Sequence, residues 1–213
     1  MARHRLTKRR LLGIDRSGAN PEATRSDQPL RPLTIPNAIG FVRLGLIPVF
    51  LTVALSSRDG RSALSATLFG VIGWGDYLDG FTARLTGQFS RLGALLDPII
   101  DRLLVISGMV VAWDFELLPR WALALVIARE LLMIVLSRYS LRRGVEIKIN
   151  WPGRLAVAPT MGAPFFAMAG VHWLALVMLY VGLALALTAT WLYVRRGLRE
   201  LRQLNLDQLS SSD

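Results

Sequence analysis

The chain has 213 residues, 53% of them hydrophobic, and a formal net charge of +10. That combination describes a polytopic membrane protein better than a soluble domain. Zero cysteines exclude disulfides and thiolate metal sites, and two isolated histidines, His4 and His172, exclude a histidine cluster.

Residues 1–30 are polar and basic, with Arg3, Arg5, Lys8, Arg9, Arg10, Arg16 and Arg25. No apolar stretch of useful length follows the first charges, so this is not a cleaved signal peptide. A mobile cytoplasmic tail is expected, with a short surface helix near residues 6–14. A first apolar span, residues 35–56, opens with Pro36, which suits a helix start. Arg43 lies two turns inside it and either snorkels to the surface or faces an acidic cavity. A second span covers residues 63–84 and a third 92–113. Pro98, in the third, frees one backbone carbonyl.

A fourth span, residues 121–140, carries Arg129 and Glu130 in its middle. The polar loop 141–154 follows, with Arg142, Arg143, Lys148 and Arg154. A fifth span covers 155–171 and a sixth 173–194. The domain thus occupies residues 31–196, and 197–213 form a C-terminal tail that starts basic and ends polar and irregular. No repeat and no second domain is evident. Gly73, Gly75, Gly162, Ala163, Gly170 and Gly182 suit close helix packing.

Six spans place both termini on one side. The basic tails, the turn 85–91 and the loop 141–154 share that side. The other connections hold Arg58, Arg61 and Arg120, offset by Asp59, Asp114 and Glu116. By the positive-inside rule the richer side is the cytoplasm. Charges crowded into loops and tails point to anionic lipid headgroups and topology, with no nucleic-acid partner. The expected protein is all-α, a six-helix polytopic protein of the cell's inner (plasma) membrane, with a polar cavity open to the cytoplasm.

The chemistry lies between the second and third spans. Asp76 and Asp79 are three residues apart, and Asp97 and Asp101 four apart, so each pair shares one helical face. Gly87, Gln88, Ser90 and Arg91 suit a turn. In the resulting hairpin, Asp79 and Asp97 each lie roughly 8–9 Å from the turn and face each other, with Asp76 and Asp101 a turn farther in. A mid-membrane Asp costs about 2.5–3.5 kcal/mol, so four uncompensated ones cost on the order of 10 kcal/mol. Two divalent cations match the four carboxylates in charge and in their preference for hard oxygen ligands. Such a pair, about 3.5–4 Å apart, clamps a phosphoryl group during in-line displacement. The plainer alternative is a set of protonated or Arg-paired aspartates tying helices together, with Arg84, Arg91 and Arg102 nearby.

Asp76, Asp79, Gly80, Ala83, Arg84, Gly93, Asp97 and Asp101, at these spacings, resemble the signature of the CDP-alcohol phosphatidyltransferase family. Ile35, Pro36 and Asn37, with Arg43 and Pro48, are similar to that family's first span. Ala128, Arg129 and Glu130 are similar to the fourth span of its phosphatidylglycerophosphate synthase branch. The resemblance implies transfer of a phosphatidyl group from CDP-diacylglycerol to an alcohol, with release of CMP. It implies Asp76, Asp79 and Asp97 as ligands of two divalent cations, Mg2+ or Mn2+. Asp101 is implied as general base and further metal contact. Gly80, Ala83, Arg84 and Gly93 would receive the cytidine diphosphate, and a homodimer in membrane lipid is expected. Gly80 and Gly93 make physical sense there, since a side chain would block a bulky nucleotide.

Arg43, Arg129, Arg138, Lys148 and Arg154 are candidates for the phosphate of an acceptor such as glycerol 3-phosphate, a dianion that several cations would bind. Arg129 alone also reads as a partner of Glu130. Phosphatidylglycerophosphate synthases typically show a Gly-Lys-x-Lys-Thr-like stretch here. This chain has Gly153, Arg154, Leu155, Ala156 and Val157, which keeps the first cation and loses the second. That raises a cardiolipin synthase, whose acceptor is phosphatidylglycerol, and more weakly an inositol-phosphate acceptor. A cation transporter or magnesium-binding scaffold is the non-enzymatic alternative. A transport path would want polar residues through the full membrane depth, whereas here they gather toward the cytoplasmic half.

Overall fold

The computed structural model describes residues 29–142 and 151–210. The predicted basic tail up to residue 28, Lys148 and residues 211–213 lie outside the described residues. Within them there are six helices and no strand: α1 (Ile35–Leu55), α2 (Ala63–Thr86), α3 (Arg91–Asp114), α4 (Arg120–Arg142), α5 (Trp151–Met168) and α6 (His172–Ser210). Each predicted apolar segment has become a helix. The one departure is at the C-terminus, where residues 197–210, expected as an irregular tail, continue α6. Their composition accounts for it: Leu198, Leu201 and Leu204 recur at helical spacing among Arg, Glu and Gln, all good helix formers, with no proline.

The chain divides into two compact units. One comprises the described residues up to Ser57 together with Ala63–Ser107, and the other Arg58–Ser62 together with the chain from Gly108.

In the first unit, α1 is started by Thr34, whose hydroxyl accepts the Asn37 N–H at 3.3 Å, with Pro36 in the first turn. Its inner face, Gly40, Arg43, Ile47, Phe50 and Ala54, repeats every three or four residues and is buried. The matching face of α2 buries Phe69, Ile72, Gly75 and Asp79. On α3, Ile100 and Leu104 are fully buried. Phe50 and Phe69 close the apolar end, with ring centroids 5.4 Å apart. Gly87, at φ +67°, ends α2 in the left-handed region that glycine adopts without strain. Ser90 then caps α3 by accepting the Gly93 N–H at 3.0 Å.

In the second unit, α6 packs against both α5 and α4. The α5–α6 corner is a Schellman turn. Gly170, at φ +80°, donates to the Ala167 carbonyl, and Val171 donates to that of Phe166. Farther along, Gly182 lets α6 approach the α5 backbone: a Cβ there would lie 2.9 Å from Thr160 Oγ1 and 3.0 Å from Thr160 N. The small-residue reading of Gly182 therefore holds.

Large apolar side chains also point outward along the helices, among them Val42, Val71 and Trp74 in the first unit and Val135, Val177 and Trp191 in the second. Two helical stretches, Ile35–Leu55 and His172–Arg195, are long and apolar enough to cross a membrane. The aspartates of α2 and α3, the Arg129–Glu130 pair of α4, and Arg154 of α5 make those helices more polar.

Candidate active site

Three helical faces of the first unit meet at Arg43. Its side chain enters from α1 and is 3% exposed. Nε donates to the Ile72 carbonyl at 2.9 Å, Nη1 to Asp79 Oδ2 at 2.8 Å, and Nη2 to Asp101 Oδ1 at 2.8 Å. Nη1 also stands 3.6 Å from Asp76 Oδ1. The geometry answers the alternative posed for Arg43: it does not snorkel but faces the carboxylates. Gly75 makes room for it, since a Cβ at that position would sit 2.6 Å from Arg43 Cδ and 2.8 Å from Cγ. Ile72, Gly75, Asp76 and Asp79 fall at helical positions i, i+3, i+4 and i+7, so one stripe of α2 supplies the carbonyl, the notch and two acids.

The acids differ in access. Asp79 is 5% exposed, Asp101 31% and Asp76 47%. Asp97 lies one turn before Asp101 on α3, half-buried. The guanidinium, reaching in from α1, joins Asp79 of α2 to Asp101 of α3. Charge-assisted hydrogen bonds from the one guanidinium stabilise two of the acids.

The donor set has the chemistry of a site for hard divalent cations: carboxylate oxygens from two neighbouring helices. Among the described residues, however, no group of three or more acidic or histidine side chains converges on one point. Between Asp79 and Asp101 stands the Arg43 fork instead.

A polar brace holds the turn that carries both acid-bearing helices. Asn37, buried at the start of α1, donates through Nδ2 to the carbonyls of Arg31 at 3.0 Å and Pro32 at 3.1 Å. Its Oδ1 accepts from Ser90 Oγ at 2.8 Å. Gln88 Oε1 accepts the Ile35 N–H at 3.0 Å, and the Leu92 N–H donates to Leu30 O at 3.2 Å. The α2–α3 turn is thus fastened to the start of α1 on both sides. Sequence reasoning gave Asn37 no role beyond its place in a resemblance. The signal was a helix-start asparagine and a turn serine, each ordinary alone.

Of the residues expected to receive a nucleotide, Gly80 is open on its free side, where an added Cβ would meet Arg84 Nη1 at an ordinary 3.4 Å. Ala83 is buried. The space before Gly93 belongs to Asn37, whose Oδ1 would be 2.8 Å from a Cβ there.

The other candidate cations lie in the second unit. Arg129 pairs with Glu130 and donates to Thr190 Oγ1 on α6 at 3.2 Å. Arg154 is exposed on α5. Arg138 is a residue of α4, and Lys148 falls outside the described residues.

The family model for CDP-alcohol phosphatidyltransferase matches residues 33–192. The chain is similar to a cardiolipin synthase (CMP-forming) of Streptomyces coelicolor, 37% identical over 172 residues covering 76% of this chain and 79% of that protein. It is similar also to a probable phosphatidylglycerophosphate synthase of Mycobacterium tuberculosis, 30% identical over 190 residues covering 86% and 90%. A CDP-diacylglycerol–glycerol-3-phosphate 3-phosphatidyltransferase of Shigella flexneri is 30% identical over 183 residues, covering 82% and 97%.

Proposed function

This chain belongs to the CDP-alcohol phosphatidyltransferase family and is an enzyme of phosphatidyl transfer; from that premise we propose that it moves the phosphatidyl group of CDP-diacylglycerol onto a hydroxyl of glycerol 3-phosphate, releasing CMP. Its being an enzyme sets aside the transporter and scaffold readings. The observation that carries the site assignment is the gathering of Asp76, Asp79 and Asp101 around one buried guanidinium, with Asp97 on the adjoining turn of α3.

Two divalent cations, magnesium or manganese, held by Asp76, Asp79, Asp97 and Asp101, would draw charge from the diphosphate and ease the departure of CMP. The acceptor oxygen forms a bond to the phosphorus that carries diacylglycerol, the bond from that phosphorus to the CMP oxygen breaks, and Asp101 receives the hydroxyl proton. Partial exposure makes Asp101 reachable, whereas Asp79 is enclosed. Gly80, with no side chain and free space before it, is the place for close approach of the nucleotide, beside Ala83 and Arg84.

In this reading all six helices lie in the membrane, the acid-bearing turn and both termini face the cytoplasm, and the enzyme is a homodimer. The outward apolar side chains and the two fully apolar stretches support membrane placement, and the distribution of Lys and Arg supports the orientation.

Glycerol 3-phosphate is proposed because Arg154, exposed at the start of α5, keeps one cation of the phosphatidylglycerophosphate synthase pattern. A second reading, phosphatidylglycerol as acceptor, is favoured by Ala156: it stands where that pattern has its next cation, and it is a buried, uncharged residue. CMP release from CDP-diacylglycerol by the purified protein, with glycerol 3-phosphate, phosphatidylglycerol and inositol phosphate in parallel, decides between them. The expected product is phosphatidylglycerophosphate. Cardiolipin alone establishes the second reading, and no CMP with any acceptor overturns both.

A further inference from the structure

Resting on the metal-binding reading of the four aspartates, we propose that Arg43 is an exchangeable internal cation: it holds Asp79 and Asp101 while divalent cations are absent and gives them up as cations bind.

Four observations carry this. Two of the four carboxylates, one from each acid-bearing helix, are hydrogen-bonded at 2.8 Å to the two terminal nitrogens of one side chain. With that fork in place no three acidic or histidine side chains among the described residues converge on one point, so an arrangement around Arg43 and an arrangement around metal draw on the same two carboxylates. The seat is built for arginine: Gly75 provides a notch that any side chain would fill, and the Ile72 carbonyl holds Nε. Finally, Asp76, the most exposed of the three acids near the fork, is 3.6 Å from Nη1, beyond hydrogen-bond length, and open to an arriving cation.

Charge drives the exchange. The acids draw cations in, and two divalent ions balance the four carboxylates by themselves, which leaves the guanidinium a surplus positive charge beside them. A displaced fork has its donors free for a phosphate oxygen, the role expected for Arg43 from sequence. Until then Arg43 keeps buried acids paired, avoiding the large penalty of an uncompensated charge.

The test is Mn2+ binding to the full chain in detergent, followed by the loss of the free Mn2+ spin-resonance signal. Thermal unfolding with and without Mn2+ runs alongside. Variants are Arg43→Met, which removes the competitor, Arg43→Lys, which keeps the charge but cannot fork, and Gly75→Ala, which pushes the stem from its notch. Each variant should unfold at lower temperature than wild type without cation. Each should also bind Mn2+ more tightly, by at least about tenfold for Arg43→Met, the equivalent of one charge-assisted hydrogen bond no longer in competition. Arg43→Lys and Gly75→Ala keep the test open should Arg43→Met fail to fold. Equal or weaker Mn2+ binding in the folded variants, with wild type binding, overturns the exchange and leaves the metal site standing. No Mn2+ binding by wild type or any variant overturns the metal site, and the exchange with it.

Discussion

Replacing Asn37 by alanine tests whether the polar brace, rather than helix packing alone, holds the acid-bearing turn in place. The side chain is 2% exposed and makes three hydrogen bonds, at 3.0, 3.1 and 2.8 Å. A hydrogen bond contributes about 0.5–1.5 kcal/mol net, and a buried polar group left without a partner costs about 1–3 kcal/mol. Alanine removes all three bonds and strands the buried Ser90 hydroxyl proton, so a loss of about 2–4 kcal/mol is expected. For a chain of this size that lowers the unfolding midpoint by roughly 5–12 °C, measured by thermal unfolding in detergent. Ser90→Ala should cost about 1–2 kcal/mol, since it removes an N-cap and the same bond to Asn37. Because the bond is shared, the double variant should lose about 0.5–1.5 kcal/mol less than the sum of the singles. Phosphatidyl transfer should fall further than stability does in each, because the turn sets the register of both acidic faces. An Asn37→Ala protein that melts with wild type, or strictly additive losses, would refute the brace.

Asp101→Asn should retain binding of CDP-diacylglycerol and lower turnover about 10²–10⁴-fold, the range for loss of a general base, since the amide keeps the carboxylate's shape but cannot take the proton; retained turnover removes Asp101 as base. The two signature glycines should separate. Gly80→Ala meets only Arg84 at 3.4 Å, so it should melt with wild type yet raise the KM for CDP-diacylglycerol, whereas Gly93→Ala must displace Asn37 and should lose about 1–3 kcal/mol. A Gly80→Ala enzyme with unchanged KM moves the nucleotide elsewhere. Gly182→Val, in the second unit, drives side-chain atoms into the Thr160 backbone and should cost about 1–3 kcal/mol; its midpoint matching wild type would remove the close α5–α6 approach.

Much of the architecture was legible because apolar segments of helical length were separated by charged or glycine-containing breaks. The turn after Thr86 was legible for the same reason: Gly87 and Ser90 are poor in a helix interior, and they serve there with Gln88 in different ways, as left-handed terminator, cap and tether. The acidic pairs were legible because their spacing fixes their shared faces whatever the tertiary structure. What spacing could not give was the partner. Arg43 was visible as a charge inside an apolar helix. Its choice of Asp79 and Asp101 depends on how α1 lies across the hairpin, and no local pattern encodes that. Asn37 and Gly75 were hidden for a related reason: one looks like a helix-start residue and the other like a packing glycine, and their work appears only when Ser90 and the Arg43 stem arrive opposite them. The helical end of α6 was misjudged because charge was given more weight than helix propensity and leucine spacing.

The order of layers along the first unit explains why so many charges are tolerated there. Phe50 and Phe69, with Ile47 and Ile72, form a tightly packed apolar floor, and the Asn37–Ser90 brace forms a polar lid about two turns from Arg43 on α1. Between them the acids are not dissolved in an apolar core. They face a guanidinium from below, are joined to a fastened turn from above, and reach the outside through Asp76 and Asp101. A helix rotated by about 100°, one residue of register, would carry Asp79 away from Arg43 and place an unpaired carboxylate against apolar neighbours. Breaking a buried ion pair in this way costs about 3–5 kcal/mol, so the acids themselves help to specify the helix rotation that their chemistry requires.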